Sequence, residues 1–330
     1  MVKIKYIIKA IEDYTGKCDR GGPKPTSGVQ TPPPTFSQAG EKLTKDELHE
    51  IAKVSAERWG LEISVDENGK EEISRSNFKL WDSQNNTVIS LGKVIKNNNS
   101  TIDFTNTDKG VYNLDYVLQS YNEMPDLMKQ NCEYVEFNNN GRNAMRQSSY
   151  MRTYEPDKGF NTVTITGMVF SNKDTQFNLK QVLGHEMGHA SESHFTAEEK
   201  KVLAKAWVKN TPSYTYWNSR ALTDEEKVIY NGAKSKMDMY SNSPLYRDAQ
   251  SKNKEKYASE YVYRVNYSQT NSEDWAETMS AVAYRNSNDK SSFKMEYKDG
   301  RMVDWDTFVK DHQGTYDFCC DYVDGKIKTP

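Results

Sequence analysis

Two histidines four residues apart flank a glutamate at His185-Glu186-Met187-Gly188-His189, within an apolar run that has Val182-Leu183-Gly184 before it and Ala190 after it. On a helix, residues i and i+4 lie about 40° apart around the axis, so both imidazoles project from one side, one turn from each other. Two such rings can meet one Zn²⁺ at about 2.0–2.1 Å. Glu186, adjacent to the first ring, can then reach a water on the metal without ligating, the position of a general base. Gly188 removes a side chain where a second backbone could approach. The bland alternative is an amphipathic helix with two surface histidines. Against it, the chain holds five histidines, at 49, 185, 189, 194 and 312, so abundance does not explain the spacing. A β-like run with Thr164 and Ile165 also precedes the helix, where an edge strand for substrate would lie.

Two histidines leave such a site short of a ligand, since catalytic zinc normally has three protein ligands and an open position. A third histidine six residues after His189 is missing: Glu192 stands where that longer pattern has Gly and Phe195 where it has His, with His194 one residue out of register. A carboxylate from a later helix is the alternative. In Ser272-Glu273-Asp274-Trp275-Ala276-Glu277, Glu273 and Glu277 share one helical face, so one can ligate while the other orients a ligand histidine. The same residues also read without a metal. Ser272 suits an N-cap, and Glu273 and Asp274 suit the positive end of a helix dipole. Asp274 is the second candidate for the ligand.

Gly-His-Glu-Met-Gly-His-Ala followed by Thr-Asn-Ser-Glu-Asp-Trp-Ala-Glu resembles the gluzincins, HExxH zinc metallopeptidases whose third ligand is a Glu on a downstream helix. Within them the chain is similar to the group containing the anthrax lethal factor catalytic domain and the Pro-Pro endopeptidases. The E-D-W-A-E form also resembles putative bacterial zinc-binding metallopeptidases. The resemblance covers roughly residues 112–195 and 260–320. It implies one Zn²⁺ per chain held by His185, His189 and Glu273, with Glu186 as base, Glu277 behind the ligands and Tyr267 as the tyrosine that stabilises the transition state. It implies an α+β zincin core, a small twisted sheet beside the active-site helix and a downstream ligand helix, acting on protein or peptide. Two departures stand out. His189 and Glu273 are 84 residues apart (273 − 189), long for the family, which places an insertion at about 200–255. The Tyr-to-Glu spacing is one residue short, which leaves Tyr261 and Tyr263 as substitutes for Tyr267.

The elements that must position these residues are legible in part. Residues 1–18 form a short segment and 19–41 a Pro/Gly-rich linker whose composition cannot offset its ordering entropy. An N-terminal α+β subdomain follows at 42–105, with a helix over Leu43 to Trp59, N-capped by Thr44 and closed by Gly60, then short strands in LEISV, KLWD and TVISLGKVI. The catalytic domain spans 106–330, with a helical insertion at about 200–255. Its expected elements are a helix from Asn113 to Lys129 broken at Pro125, strands at Glu133 to Phe137 and Asn161 to Thr166 with a polar loop between, and the motif helix from Asn178 to Ser193. A helix from Ser272 to Tyr284 and an amphipathic piece from Asp306 to Val323 complete it.

With Lys+Arg 44 against Asp+Glu 47 and the signs interspersed, nothing favours a nucleic-acid or anionic-membrane partner. No apolar run is long enough for a membrane span, and Lys9 and Glu12 interrupt the apolar patch that a signal peptide would need. The expected location is therefore cytoplasmic, or outside the cell by a non-classical route. Cys18, Cys132, Cys319 and Cys320 show no metal-binding spacing and read as ordinary thiols. A function from a different class is a non-catalytic binding or structural module, such as a phage-particle or effector component, on the same fold.

Overall fold

The computed structural model describes residues 45–73, 79–91, 114–138, 149–155, 158–166, 179–211, 214–237, 239–265, 269–287 and 290–327. The predicted segment 1–18, the linker 19–41, Thr44, the boundary near 105 and Tyr267 lie outside these residues. The architecture mixes α and β and is compatible with α+β, with eleven helices among the described residues. Two compact units divide the chain. One takes Met1–Asn122, Glu136–Ser148 and Ile165–Thr175; the other takes Glu123–Val135, Ser149–Thr164 and Gln176–Pro330. No described helix is long and apolar enough to cross a membrane.

In the first unit, helix α1 (Lys45–Arg58) buries Ala52, Ser55 and Ala56. It stops where the sequence places the stop. Gly60 adopts φ +66°, and Leu61 N–H and Gly60 N–H return to the carbonyls of Ala56 and Glu57 at 2.8 and 3.4 Å, a left-handed glycine cap. Strands β1 (Glu62–Ile63), β2 (Lys79–Asp82) and β3 (Thr87–Ser90) run in the order β1-β2-β3, antiparallel, with Leu80 opposite Ile89 and both fully buried. Helix α2 (Leu114–Asn122) turns Val117, Leu118 and Tyr121 inward, and the Tyr121 hydroxyl donates to Asp82 Oδ2 at 2.9 Å.

Pro125 ends the α2 region as predicted. It cannot donate within a helix, and a separate short helix, α3 (Asp126–Gln130), starts directly after it. Strands β4 (Tyr134–Asn138), β5 (Ser149–Glu155) and β6 (Gly159–Thr166) follow, in the sheet order β4-β6-β5. The sequence reading left residues 149–155 in a polar loop and gave the edge position to the strand carrying Thr164 and Ile165. Instead β5 is the terminal strand of the order, and it lies alongside the motif helix α4 (Leu179–Ser191). A strand at the end of a sheet can be polar because one row of its backbone groups needs no partner strand, so the polar sequence of 149–155 did not mark it as a strand.

The stretch 200–255, expected to be a helical insertion, is only partly helical. Helix α5 (Ala197–Ala206) begins on a capping box between Thr196 and Glu199, and it runs into a hairpin, β7 (Trp207–Thr211) and β8 (Tyr214–Trp217), that the helical expectation missed. Aromatic and β-branched residues favour pleated structure, and Trp207 pairs with Trp217 across the strands, ring centroids 4.4 Å apart. Helix α6 (Asp224–Ser235) starts on a second capping box, Thr223 with Glu226. Val202, Leu203, Ala206, Leu222, Tyr230 and Ala233 pack with Phe160 into a core of their own. Next come α7 (Pro244–Ser251), capped by Ser243, and the one-turn α8 (Glu260–Arg264). Helix α9 (Thr270–Val282), which carries Glu273, starts two residues before the predicted N-cap Ser272, and α10 (Trp305–Asp311) and α11 (Gln313–Val323) split the predicted C-terminal piece. Trp275 of α9 is fully buried, with Tyr240 stacked on it at 5.7 Å and Tyr246 and Tyr322 at 5.6 and 5.1 Å.

Between α10 and α11, His312 is fully buried against Phe308, ring centroids 4.6 Å apart, and neither ring nitrogen has a hydrogen-bond partner. Burial pushes its pKa down from 6.5 to about 4, against the pull of the neighbouring Asp311 carboxylate. The unfolded chain takes up this proton near pH 6.5 and the folded chain only near 4. Stability is therefore unaffected above that window and falls as pH drops through it, by about 3 kcal/mol in all. Urea unfolding at several pH values should show His312→Phe losing less stability than the wild type between pH 6.5 and 4; equal losses would mean that the buried imidazole is not a source of acid sensitivity.

Candidate metal centre

Of the 13 residues of α4, His185 and His189 alone are not buried, so the helix meets solvent chiefly through its two imidazoles. Glycines set what lies opposite. A Cβ on Gly188 would stand 2.8 Å from Met279 Cβ and 3.2 Å from Ala276 Cα, and one on Gly184 would stand 2.9 Å from Ala283 Cβ and 3.1 Å from Ser280 Cα. Their absence lets α9 lie almost backbone to backbone against α4. Trp275 Nε1 locks the pair by donating to the Gly188 carbonyl at 2.9 Å. The last turn of α4 is completed by Tyr322, whose hydroxyl donates to the Ser191 carbonyl at 2.5 Å.

This crossing carries Glu273 to the histidines. Its Oε2 lies 3.3 Å from His185 Nε2 and 3.3 Å from His189 Nε2. Donor atoms of His185, His189 and Glu273 all fall within 4.8 Å of one another, a group that could hold a metal ion. The second nitrogen of each ring faces a further acceptor: His185 Nδ1 is 3.6 Å from Glu277 Oε2, and His189 Nδ1 is 3.2 Å from Ser272 Oγ. Side-chain exposures of 17% for His185, 13% for His189 and 14% for Glu273 leave the group reachable from one side.

Burial disfavours charge on His185, yet Glu273, Glu277 and Glu186 together raise its affinity for a proton well above the ordinary imidazole range. Burial likewise opposes ionisation of Glu273, but hydrogen bonds to both histidines hold its carboxyl far below the usual carboxylate range. The cluster is thus built to hold positive charge. Glu186, on the turn between the two histidines, is buried, and its charge bears on both His185 and Tyr261.

The alternatives left open by the sequence separate here. Asp274 lies about 100° further round α9 than Glu273 and points elsewhere, accepting from Ala258 N–H at 2.7 Å, the Tyr246 hydroxyl at 3.0 Å and Gln250 Nε2 at 2.9 Å. Complete burial pushes its carboxyl up to about 6 despite those donors. Among the tyrosines, Tyr261 stands beside His185, ring centroids 6.4 Å apart, and burial with Glu273, Glu277 and Glu186 pushes its phenol up to about 12. Tyr263 instead packs on Tyr257 at 5.0 Å under Lys298. Sequence reasoning passed over Ser272, read there as a cap, and Glu192, seen there as a missing glycine. The available signal for Glu192 was its place three residues beyond His189, on the same helical face.

The helix crossing makes a contrast between glycines. Gly188→Ala and Gly184→Ala should each destabilise by about 1–3 kcal/mol through overpacking and reduce metal uptake. Gly232→Ala, on α6 where a Cβ meets open space, should stabilise by about 0.4–1 kcal/mol. Thermal melts and metal titrations of the three variants check this, and a Gly188→Ala protein as stable as the wild type would contradict it.

No protein-family model, no curated protein and no solved structure matches this chain, so what the site does is read from its own residues.

Proposed function

We propose that the chain is a zinc-dependent endopeptidase with a zincin-type α+β core of the gluzincin kind. One observation carries the reading: both His Nε2 atoms lie 3.3 Å from the same Glu273 oxygen. Ligands held tetrahedrally at 2.0–2.1 Å from one ion stand about 3.3–3.4 Å from each other, so both His–Glu273 separations match what zinc requires. Two imidazoles and one carboxylate are also the donor types zinc prefers in catalytic sites, with a position left for water. Glu277 and Ser272 at the outer ring nitrogens complete the fit.

When bound there, zinc supplies Lewis acidity, polarising a water and a substrate carbonyl. The remaining work falls to side chains. Glu186 accepts the proton of the attacking water and returns it to the leaving amine. Tyr261 keeps its proton at neutral pH, and its hydroxyl donates to the oxyanion of the transition state. Glu277, at His185 Nδ1, orients that imidazole, and Glu273 supplies the third ligand. Strand β5, terminal in its sheet and alongside α4, offers backbone groups to an extended peptide, which suits a polymeric substrate.

Zinc analysis of the purified full chain and a peptide-library digest test the reading. The wild type should carry about one zinc per chain. Glu186→Gln should keep that zinc and lose turnover by about 10²–10⁴-fold. Tyr261→Phe should lower kcat by up to about 10²–10³-fold with little change in KM. A Glu186→Gln protein with full activity would overturn the mechanism. A zinc-loaded wild type that cleaves nothing in the library would move the chain to a binding module on a protease fold.

A further inference from the structure

His189 differs from His185 in what stands behind it. His185 Nδ1 faces a carboxylate, Glu277, directly, whereas His189 Nδ1 faces a hydroxyl, Ser272 Oγ, at 3.2 Å. That hydroxyl has one hydrogen, and the structure gives it a destination: Ser272 Oγ donates to Glu192 Oε2 at 2.8 Å. The other Glu192 oxygen accepts from the Ser241 backbone N–H at 3.0 Å, so both oxygens act as acceptors. Glu192 is 1% exposed, and a carboxylate buried so deeply is sustained by such donors. With its hydrogen committed to Glu192, Ser272 has a lone pair left for His189. His189 Nδ1 therefore carries a proton, which makes Nε2, 3.3 Å from Glu273 Oε2, the nitrogen that would take a metal in place of its own proton.

We propose that Ser272 and Glu192 are positioning residues for the metal, a hydroxyl-to-carboxylate relay that fixes the tautomer and ring angle of His189. The inference rests on the metal reading of the preceding section. Ser272 has no competing role as a helix cap, since α9 begins at Thr270 with Gln269 before it. The relay also ties the 200–255 stretch to the site. Ser241 is fully buried within that stretch, ahead of α7 and beside Tyr240, whose ring stacks on Trp275. The chain between His189 and Glu273 thus returns to support the ligand that precedes it. Glu192 is supplied by the residue just after α4, and Ser272 by the turn of α9 that bears Glu273.

The test measures Zn²⁺ affinity of the full chain by competition with a chromogenic chelator, with the visible absorption of the Co²⁺-loaded protein as a report on ligand geometry. Ser272→Ala and Glu192→Gln should each weaken Zn²⁺ binding by about 10- to 100-fold and alter the Co²⁺ spectrum. Ser272→Thr, which keeps the hydroxyl, should restore both. Because the two residues act in series, the double variant should lose no more than the weaker single one. The melting temperatures of the metal-free variants identify any that fail to fold, and Ser272→Thr against Ser272→Ala supplies the comparison if Glu192→Gln is one of them. Wild-type affinity in Ser272→Ala, or equal weakening in Ser272→Thr and Ser272→Ala, would overturn the relay. A wild-type chain that takes up no Zn²⁺ at all would overturn the metal reading, and the relay with it.

Discussion

The arrangement depends on how closely two helices can approach. A four-residue repeat of glycine on α4, Gly184 and Gly188, meets the small and flexible surface of Ala276, Met279 and Ser280 on α9 and of Ala283 at its C-terminal end. Ordinary helices pack with axes about 8–10 Å apart, the spacing set by the side chains between them. With a hydrogen in place of each side chain, Glu273 on one helix can reach imidazoles on the other with a short carboxylate arm. The Trp275 indole holds the geometry from both directions, through its hydrogen bond to Gly188 and its burial among Tyr240, Tyr246 and Tyr322. Packing energy thereby sustains a polar cluster that would otherwise be costly to bury.

That cluster is asymmetric in charge. Glu186, Glu192, Glu273 and Glu277 gather around two imidazoles on this helix pair, and the imidazole of His185 is pulled towards positive charge despite its burial. Carboxylates enclosed in this way need a compensating cation or a dense set of donors. Asp274, one residue from Glu273, shows the second solution, with three donors and no part in the cluster. Neighbouring acids on one helix therefore serve opposite ends: Glu273 faces the histidines, while Asp274 pins the chain around Ala258 and helix α7.

The stretch from 200 to 255 contributes more than length. It has its own capped helices, a Trp-paired hairpin and a small core with Phe160, so it is a folded part of its unit. It is also drawn into the support of the site through Ser241 and Tyr240. An 84-residue separation between His189 and Glu273 costs little more in loop-closure entropy than a shorter one, because that cost grows only logarithmically with length.

What the sequence by itself determined is what one helical turn or one glycine dictates. His185 and His189 share a face because 3.6 residues make a turn, Gly60 ends its helix because it alone takes a positive φ at no cost, and Pro125 separates helix α2 from α3. Glu273 and Asp274 were both visible as candidates, yet a choice between adjacent helical residues is a rotation of about 100°, and only the packing of α9 on α4 sets that rotation. The same packing turned Ser272 from a presumed cap into a partner of His189. It also gave Glu192 a role, since neither contact is local in sequence. Strand β5 and the Trp207–Trp217 hairpin escaped notice for a related reason. Strand pairing is decided by distant partners, and a polar edge strand carries too little alternation to announce itself.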